Sequence, residues 1–311
     1  MILQAIQIVV SLLLLVAVGY YVTGKSWFGE TGSNIFSKFT VSVAVPCYMF
    51  YNVINTCPSR TSLLTLFQKL PIPFVTILIS FFLGLLLLKL LKVPTAKRGV
   101  FLNAVTFSNT VIIGFPVVES LYGSGAAPEA MVYYMANTIL FWTIGVFFLK
   151  RDNDKTVRLF SLQGLRQIFS PPMIGFGLGV AVVLFNLPLP YFITSPLTMM
   201  KQLTTPMAMI FTGSVIQRSG FQTLKLNKEM AAILLTRFVI TPILMFFICI
   251  PLPISPLTKQ VFFVLATMPA MTQLGIVAKE SNSDYQFASA AIVITTTVSL
   301  IMIPVYMLIL G

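Results

Sequence analysis

Histidine is absent from the 311 residues, and charged residues make up only 9% of them. The first absence removes the imidazole base, the commonest metal ligand and the physiological-pH switch, and with them most hydrolytic chemistry. The second excludes a soluble fold, which solvates its surface with roughly 25% charged residues, while a disordered chain would need the opposite composition. Cysteine is scarce too. Cys47, Cys57 and Cys249 are odd in number, scattered in or near apolar runs and without CxxC spacing, so they read as small buried apolar residues. Acids are missing where they would matter most. Glu30, Glu119, Glu129, Asp152, Asp154, Glu229, Glu280 and Asp284 fall in loops or near the ends of apolar runs, leaving no obvious mid-membrane carboxylate to relay a proton or ligate Na⁺. With no serine or cysteine beside a credible base and no paired carboxylates, no enzyme is expected, and neither is a cofactor or a bound metal.

What the chain has in quantity is apolar: 57% of residues are hydrophobic and the mean hydropathy is +0.93, the composition of a polytopic membrane protein. Apolar segments bounded by charges or by Pro and Gly clusters fall at about 2–22, 36–56, 70–91, 99–121, 129–149, 170–187, 191–217, 229–250, 259–278 and 285–310. The first lacks a basic start and a cleavage motif, so it is expected to be a retained helix. The net charge is +12, but the basic residues lie in short loops rather than on a face with interleaved aromatics, which points to topology and not to nucleic acid. With the N-terminus outside, 15 of the 20 basic residues fall inside and only Arg60, Lys69 and Lys259 outside, as the positive-inside rule requires. Both termini are then expected on the non-cytoplasmic side of a cell-bounding membrane, plasma or inner. The longest hydrophilic stretch, from Lys150 to Arg166, divides the chain into a first five-span part (1–150), a cytoplasmic linker (151–169) and a second five-span part (170–311).

An internal match supports that division. Sliding residues 98–120 by 161 positions onto 259–281 aligns Val100, Phe101, Thr106, Gly114, Glu119 and Ser120 with identical residues. The match relates span four to span nine, which equivalence between two inverted five-span repeats requires. A shift of 160 also places Pro46 and Met49 on Pro206 and Met209. The expected fold is therefore an all-α polytopic membrane protein of ten transmembrane helices in two inverted five-helix repeats.

Spans four and nine carry residues that a lipid-facing helix has no need for: Ser108, Asn109, Thr110, Gly114 and Pro116 in one, Thr267, Pro269, Thr272, Gln273 and Gly275 in the other. Proline removes an amide donor and crowds the preceding turn, and glycine tolerates the irregular backbone that results. Both spans are expected to break, at Gly114 and Pro116 and at Pro269 and Gly275. Unwound backbone at mid-membrane needs a cavity or protein cover. Half-helix N-termini suit an anion and carbonyl ends a cation, so two such breaks would form one polar midplane site. Asn109 is the first candidate ligand, since its amide offers two donors and an acceptor to a carboxylate, and Gln273 is the second. Thr110 and Thr272 are secondary, and Asn103 is expected to make a helix–helix contact.

The sequence resembles the auxin efflux carrier family, which includes plant auxin exporters and bacterial carriers of the malate or malonate permease kind. The resemblance rests on FSNTVIIGFPVVESLYG in span four, PPMIGFGLGV opening span six, TTPMAMIFTGSVI in span seven and MPAMTQLGIVAKESNSDYQFASAAIVITTTVSL across spans nine and ten, and it covers nearly the whole chain. It implies spans four and nine crossing at broken centres beside an organic-anion site. It also implies spans three to five and eight to ten moving as a transport unit against spans one, two, six and seven, as an elevator. Asn109 looks like the family's span-four asparagine, Pro116 or the Gly114–Pro116 turn its crossover proline, and Pro269 its span-nine proline. Span nine departs from the pattern, because Met271, Thr272 and Gln273 stand where many relatives have small residues and an asparagine. The resemblance suggests a homodimer.

Two intramembrane cations remain. Arg237 lies about halfway along span eight, where a charge is costly and marks function by default; it would either neutralise a substrate carboxylate or cap the carbonyl ends of a broken neighbour. Lys201 is expected to snorkel to the interface, and Glu119 to act as a cap or anchor. The expected function is secondary transport of a small organic anion, a mono- or dicarboxylate such as malate or an auxin-like acid, with the lipid bilayer as its other partner. The alternatives are a sodium-coupled symporter of the bile-acid type and an anion channel.

Overall fold

The computed structural model describes residues 2–25, 27, 30–151, 167–219 and 226–310. Most of the expected linker, with Lys155, Arg158 and Arg166, lies outside the described residues. Among the described residues the secondary structure is helical, joined by one isolated antiparallel bridge between Ser108 and Ala270. In chain order the helices are α1 (Ile2–Gly24), α2 (Glu30–Phe39), α3 (Val45–Thr56), α4 (Arg60–Phe67), α5 (Pro71–Leu90), α6 (Thr95–Thr106), α7 (Phe115–Tyr122), α8 (Ala127–Leu140), α9 (Val146–Arg151), α10 (Pro171–Leu184), α11 (Tyr191–Gln202), α12 (Thr204–Ser219), α13 (Lys228–Leu235), α14 (Thr241–Cys249), α15 (Pro256–Ala266), α16 (Gln273–Glu280) and α17 (Tyr285–Leu310). The short α4 has no counterpart among the expected segments.

Four helical segments among the described residues are long and apolar enough to cross a membrane: Arg60–Leu90, Ser124–Arg151, Lys228–Cys249 and Tyr285–Tyr306. This is the membrane-embedded protein that the composition demands. Three of the expected spans fall short of the about 20 residues a span needs because they are divided. The fourth expected span is split into α6 and Thr110–Tyr122, and the ninth into α15 and α16. The seventh, expected as one run, divides at Leu203 into α11 and α12, just ahead of Pro206. Pro206 thus stands in the first turn of α12, where its missing N–H costs no helix hydrogen bond, whereas Pro196 is carried inside α11.

At three other prolines the ring is absorbed rather than allowed to break the helix. Three π segments, Thr40–Ala44, Thr110–Gly114 and Thr236–Ile240, each end two residues before a proline: Pro46, Pro116 and Pro242. In an α-helix the proline ring clashes with the carbonyl four residues back. A π turn adds one residue and moves that carbonyl away, so the helix continues.

The chain divides into two compact units. The first comprises Met1–Leu70, Val111–Met135 and Phe169–Arg218. Within it, backbones approach at glycine: a Cβ on Gly213 would overlap the carbonyl oxygen of Val16, and one on Gly175 would overlap that of Pro46. Small residues permit such contact where lipid gives helices no hydrophobic reason to associate. The second unit comprises Pro71–Thr110, Ala136–Ile168 and Ser219–Gly311. Its core holds the fully buried Phe101, Leu102, Phe107, Phe141 and Phe262, with the Phe107 and Phe141 rings edge-on at 5.5 Å. Asn103 donates to the Gly145 carbonyl at 3.0 Å, the helix–helix contact expected of it.

Candidate functional site

The second unit contains both chain breaks and sets them side by side. After Thr106 the backbone turns extended at Phe107, with φ −97° and ψ 128°. Asn109 N–H then donates to the Pro269 carbonyl at 2.8 Å, and Met271 N–H to the Phe107 carbonyl at 3.2 Å. The two unwound segments thus pair as a short antiparallel ladder around the Ser108–Ala270 bridge, each satisfying backbone groups that the other's break exposes. Serine, asparagine and threonine compete with the helix for backbone partners, and Pro269 disfavours helix at Met268, so both breaks begin in local sequence.

Neighbouring helices complete them. Asn137 on α8 clamps Ser108, accepting from its N–H at 3.0 Å and donating to its carbonyl at 3.0 Å. Thr295 on α17 accepts from Ala270 N–H at 3.1 Å and donates to the Ala291 carbonyl at 2.7 Å. Both residues are fully buried. Neither was singled out from the sequence, because a polar side chain in a helix carries no local sign of which distant backbone it will meet; its meaning lies in the partner.

Arg237 joins the two breaks. The π segment ahead of Pro242 carries it, and the carbonyl of Phe238, four residues before that proline, receives the Tyr306 hydroxyl. The guanidinium is 1% exposed. Nε and Nη2 donate to the Met268 carbonyl at 2.9 and 2.8 Å. Nη1 donates to the carbonyls of Ala104, Val105 and Phe107 at 3.0, 3.2 and 3.0 Å, and Nη2 to the Ser108 hydroxyl at 2.7 Å. Of its two expected roles, these contacts are those of the carbonyl cap, made to both broken spans at once.

Asn109 is 4% exposed, and its amide donates to the Thr272 hydroxyl at 2.6 Å, bringing the leading candidate from span four onto a secondary one from span nine. Next to it, the Thr110 hydroxyl is buried and makes no hydrogen bond. Gln273 opens α16 and is half-buried, and Gly275 lies inside that helix, so the span-nine break is the Thr267–Thr272 stretch around Pro269. Gly114 and Pro116 are placed differently from the expectation. The span-four break lies at Phe107–Asn109, upstream of both, and they sit in the continuous helix Thr110–Tyr122 within the first unit, where the π turn accommodates the proline.

The first unit holds a second, largely covered cation. Lys201, expected to snorkel, is only 12% exposed and pairs with Glu119 at 3.3 Å, so Glu119 is an ion-pair partner and not merely an anchor. The ammonium also donates to the Asn52 side-chain oxygen at 3.2 Å and lies 4.8 Å from the centre of the Tyr51 ring.

Known proteins similar to this chain are membrane transporters. The model of the Membrane transport protein family matches residues 4–307. An uncharacterized transporter of Methanothermobacter thermautotrophicus is 25% identical over 305 residues, 98% of each chain. An uncharacterized transporter of Methanocaldococcus jannaschii is 26% identical over 311 residues, 96% of this chain and 97% of its own. The chain therefore belongs to the membrane transport protein family, that of the auxin efflux carriers, and is an integral membrane protein.

Proposed function

We propose that this family member is a secondary active carrier of a small organic anion, a mono- or dicarboxylate such as malate or an auxin-like acid, working by alternating access. The observation that carries this reading is the paired break: Asn109 on Thr272 at 2.6 Å, beside the unpartnered Thr110 hydroxyl and between two antiparallel unwound segments. Asn109, Thr272 and Gln273 offer neutral donors, and the helices beginning at Thr110 and Gln273 offer positive dipole ends. Arg237 adds a fixed positive charge one residue from Asn109, through Ser108. A carboxylate meeting these groups exchanges water for oriented donors without needing a metal. In this reading Asn109, Thr110, Thr272 and Gln273 are ligands, Pro269 keeps span nine unwound, and Arg237 acts on the substrate through the backbone it holds.

The transport cycle we propose is an elevator, within ten spans arranged as two inverted five-span repeats and with both termini on the non-cytoplasmic side. The grouping of α5, α6, α9 and α13 to α17 in one compact unit, and of α1, α3, α10, α11 and α12 in the other, supports that reading, while Val111–Met135, the second half of span four and the start of span five, groups with the latter and departs from it. An inside-negative potential would by itself favour export of an anion, by about 2.3 kcal/mol per charge per 100 mV. A homodimer is the proposed assembly. The test is uptake of labelled malate into proteoliposomes preloaded with malate. Saturable counterflow that Asn109→Ala removes supports a carrier with its site at the paired breaks. Malate uptake unchanged by Asn109→Ala would overturn the site, and single-opening currents would replace the carrier with a channel.

A further inference from the structure

The oxygens around Arg237 form a cation site in their own right. The chain ends of α6 and α15 present carbonyls with no partner further along their helices, and each helix C-terminus carries roughly −0.5 of an elementary charge. Two such ends converge on one place, so the negative charge collected there is about one unit. Five oxygens line it: the carbonyls of Ala104, Val105, Phe107 and Met268 and the hydroxyl of Ser108. Unwound carbonyls and helix C-terminal ends are the groups with which broken-helix carriers bind monovalent cations. Here the distances of 2.7–3.2 Å are to guanidinium nitrogens, and the planar fork reaches oxygens from both broken spans simultaneously.

We propose that Arg237 is a tethered counter-cation occupying a monovalent-cation site built by the two breaks, and that this site consequently takes no exchangeable cation in the wild-type chain. A Na⁺ ion entering it would meet a like charge and oxygen lone pairs already engaged. The charge at the crossing is therefore constant, set by the chain and not by the ionic composition of either compartment. The consequence for coupling, that the anion moves without Na⁺ bound at this place, rests on the carrier reading above; the cation site itself does not.

Thermal unfolding of the purified protein tests the site without any transported substrate, so a failure of the anion-carrier reading would not register in it. Guanidinium chloride at about 20 mM is the probe, compared with NaCl and choline chloride at equal ionic strength. Wild-type melting is expected to be the same in all three. Arg237→Ala is expected to melt well below wild type and to recover by about 3–5 °C in guanidinium, with no such gain in choline or in the Asn109→Ala variant. Equal recovery in guanidinium and choline, or none in either, would overturn the proposal. So would a Na⁺-dependent rise in wild-type melting, since the site would then be taking an external ion. If Arg237→Ala cannot be isolated folded, Arg237→Lys supplies the second variant: it keeps a tethered cation and should melt identically in Na⁺ and choline, and a selective Na⁺ effect there would equally sink the idea.

Discussion

The two units each cover a cation, fully in one and largely in the other, and they satisfy it in opposite ways. In the second, Arg237 spreads its fork over four backbone carbonyls and a serine hydroxyl. In the first, Lys201 meets a carboxylate, an amide oxygen and the face of Tyr51. Backbone carbonyls do not titrate and cannot swing away, so the charge on Arg237 is fixed in the fold. Side chains can do both, which makes the Lys201 contacts separable one at a time. Arginine and lysine suit these tasks: a rigid five-donor fork can bridge two broken helices, whereas a point charge on a flexible stem can change partner. A covered charge is thus not one kind of feature; its role follows from what its partners are free to do.

The sharpest way to break this comparison is Arg237→Ala. Removing the fork orphans acceptors from two helices in one step, and we expect a loss of at least about 3 kcal/mol, read as a fall in melting temperature of the purified protein. Arg237→Lys should fall between the two, since a single ammonium cannot span both sets of carbonyls. A lysine variant as stable as wild type would mean that charge alone matters and geometry does not.

Asn109→Ala separates the fixed framework from the groups proposed to meet substrate. The side chain donates to Thr272 and is not part of the backbone ladder, which Asn109 N–H forms with Pro269 regardless of side chain. Malate counterflow should drop by about 10- to 100-fold, the worth of a hydrogen bond to a charged group, while melting changes far less. If melting falls as steeply as for Arg237→Ala, Asn109 belongs to the framework instead.

Asn137 tests how far that framework extends. Its amide makes two bonds to Ser108, so Asn137→Ala should lose about 1–3 kcal/mol. Asn137→Asp keeps the acceptor for Ser108 N–H but loses the donor to its carbonyl, and should recover at most part of that loss. Complete recovery in the Asp variant would show that the Ser108 carbonyl does not need Asn137.

These residues also mark what could be read in the sequence. Pro269 announced the span-nine break, because its chemistry opposes helix wherever it stands, whereas the polar Ser108–Asn109–Thr110 run marked span four as unusual without placing its break, which the sequence puts downstream at Gly114 and Pro116. Arg237 announced itself as costly but not as a bridge, since its acceptors lie 31 to 133 residues away. Asn137 and Thr295 were invisible for the same reason. Proline misled at position 116, where a π turn, a property of backbone register rather than composition, absorbs it. The division at Leu203 went unread because Thr204, Thr205 and Pro206 sit within an apolar run long enough to pass for one span.

The smallest effect is expected at Lys201 and Glu119, and it bears most directly on whether the two cations differ. Both side chains are partly accessible, at 12% and 23%, so the pair should contribute about 1 kcal/mol or less after screening and desolvation. Glu119→Gln leaves the ammonium its contacts with Asn52 and Tyr51 and should be mild. Lys201→Met strands a carboxylate in a mostly covered position and should be the worse single change. The double variant removes both charges, and if the contact is an ion pair it should be more stable than the two single losses added together. Additive losses in that cycle would mean that Lys201 and Glu119 do not sense each other, and that the first unit, like the second, holds its cation by neutral groups alone.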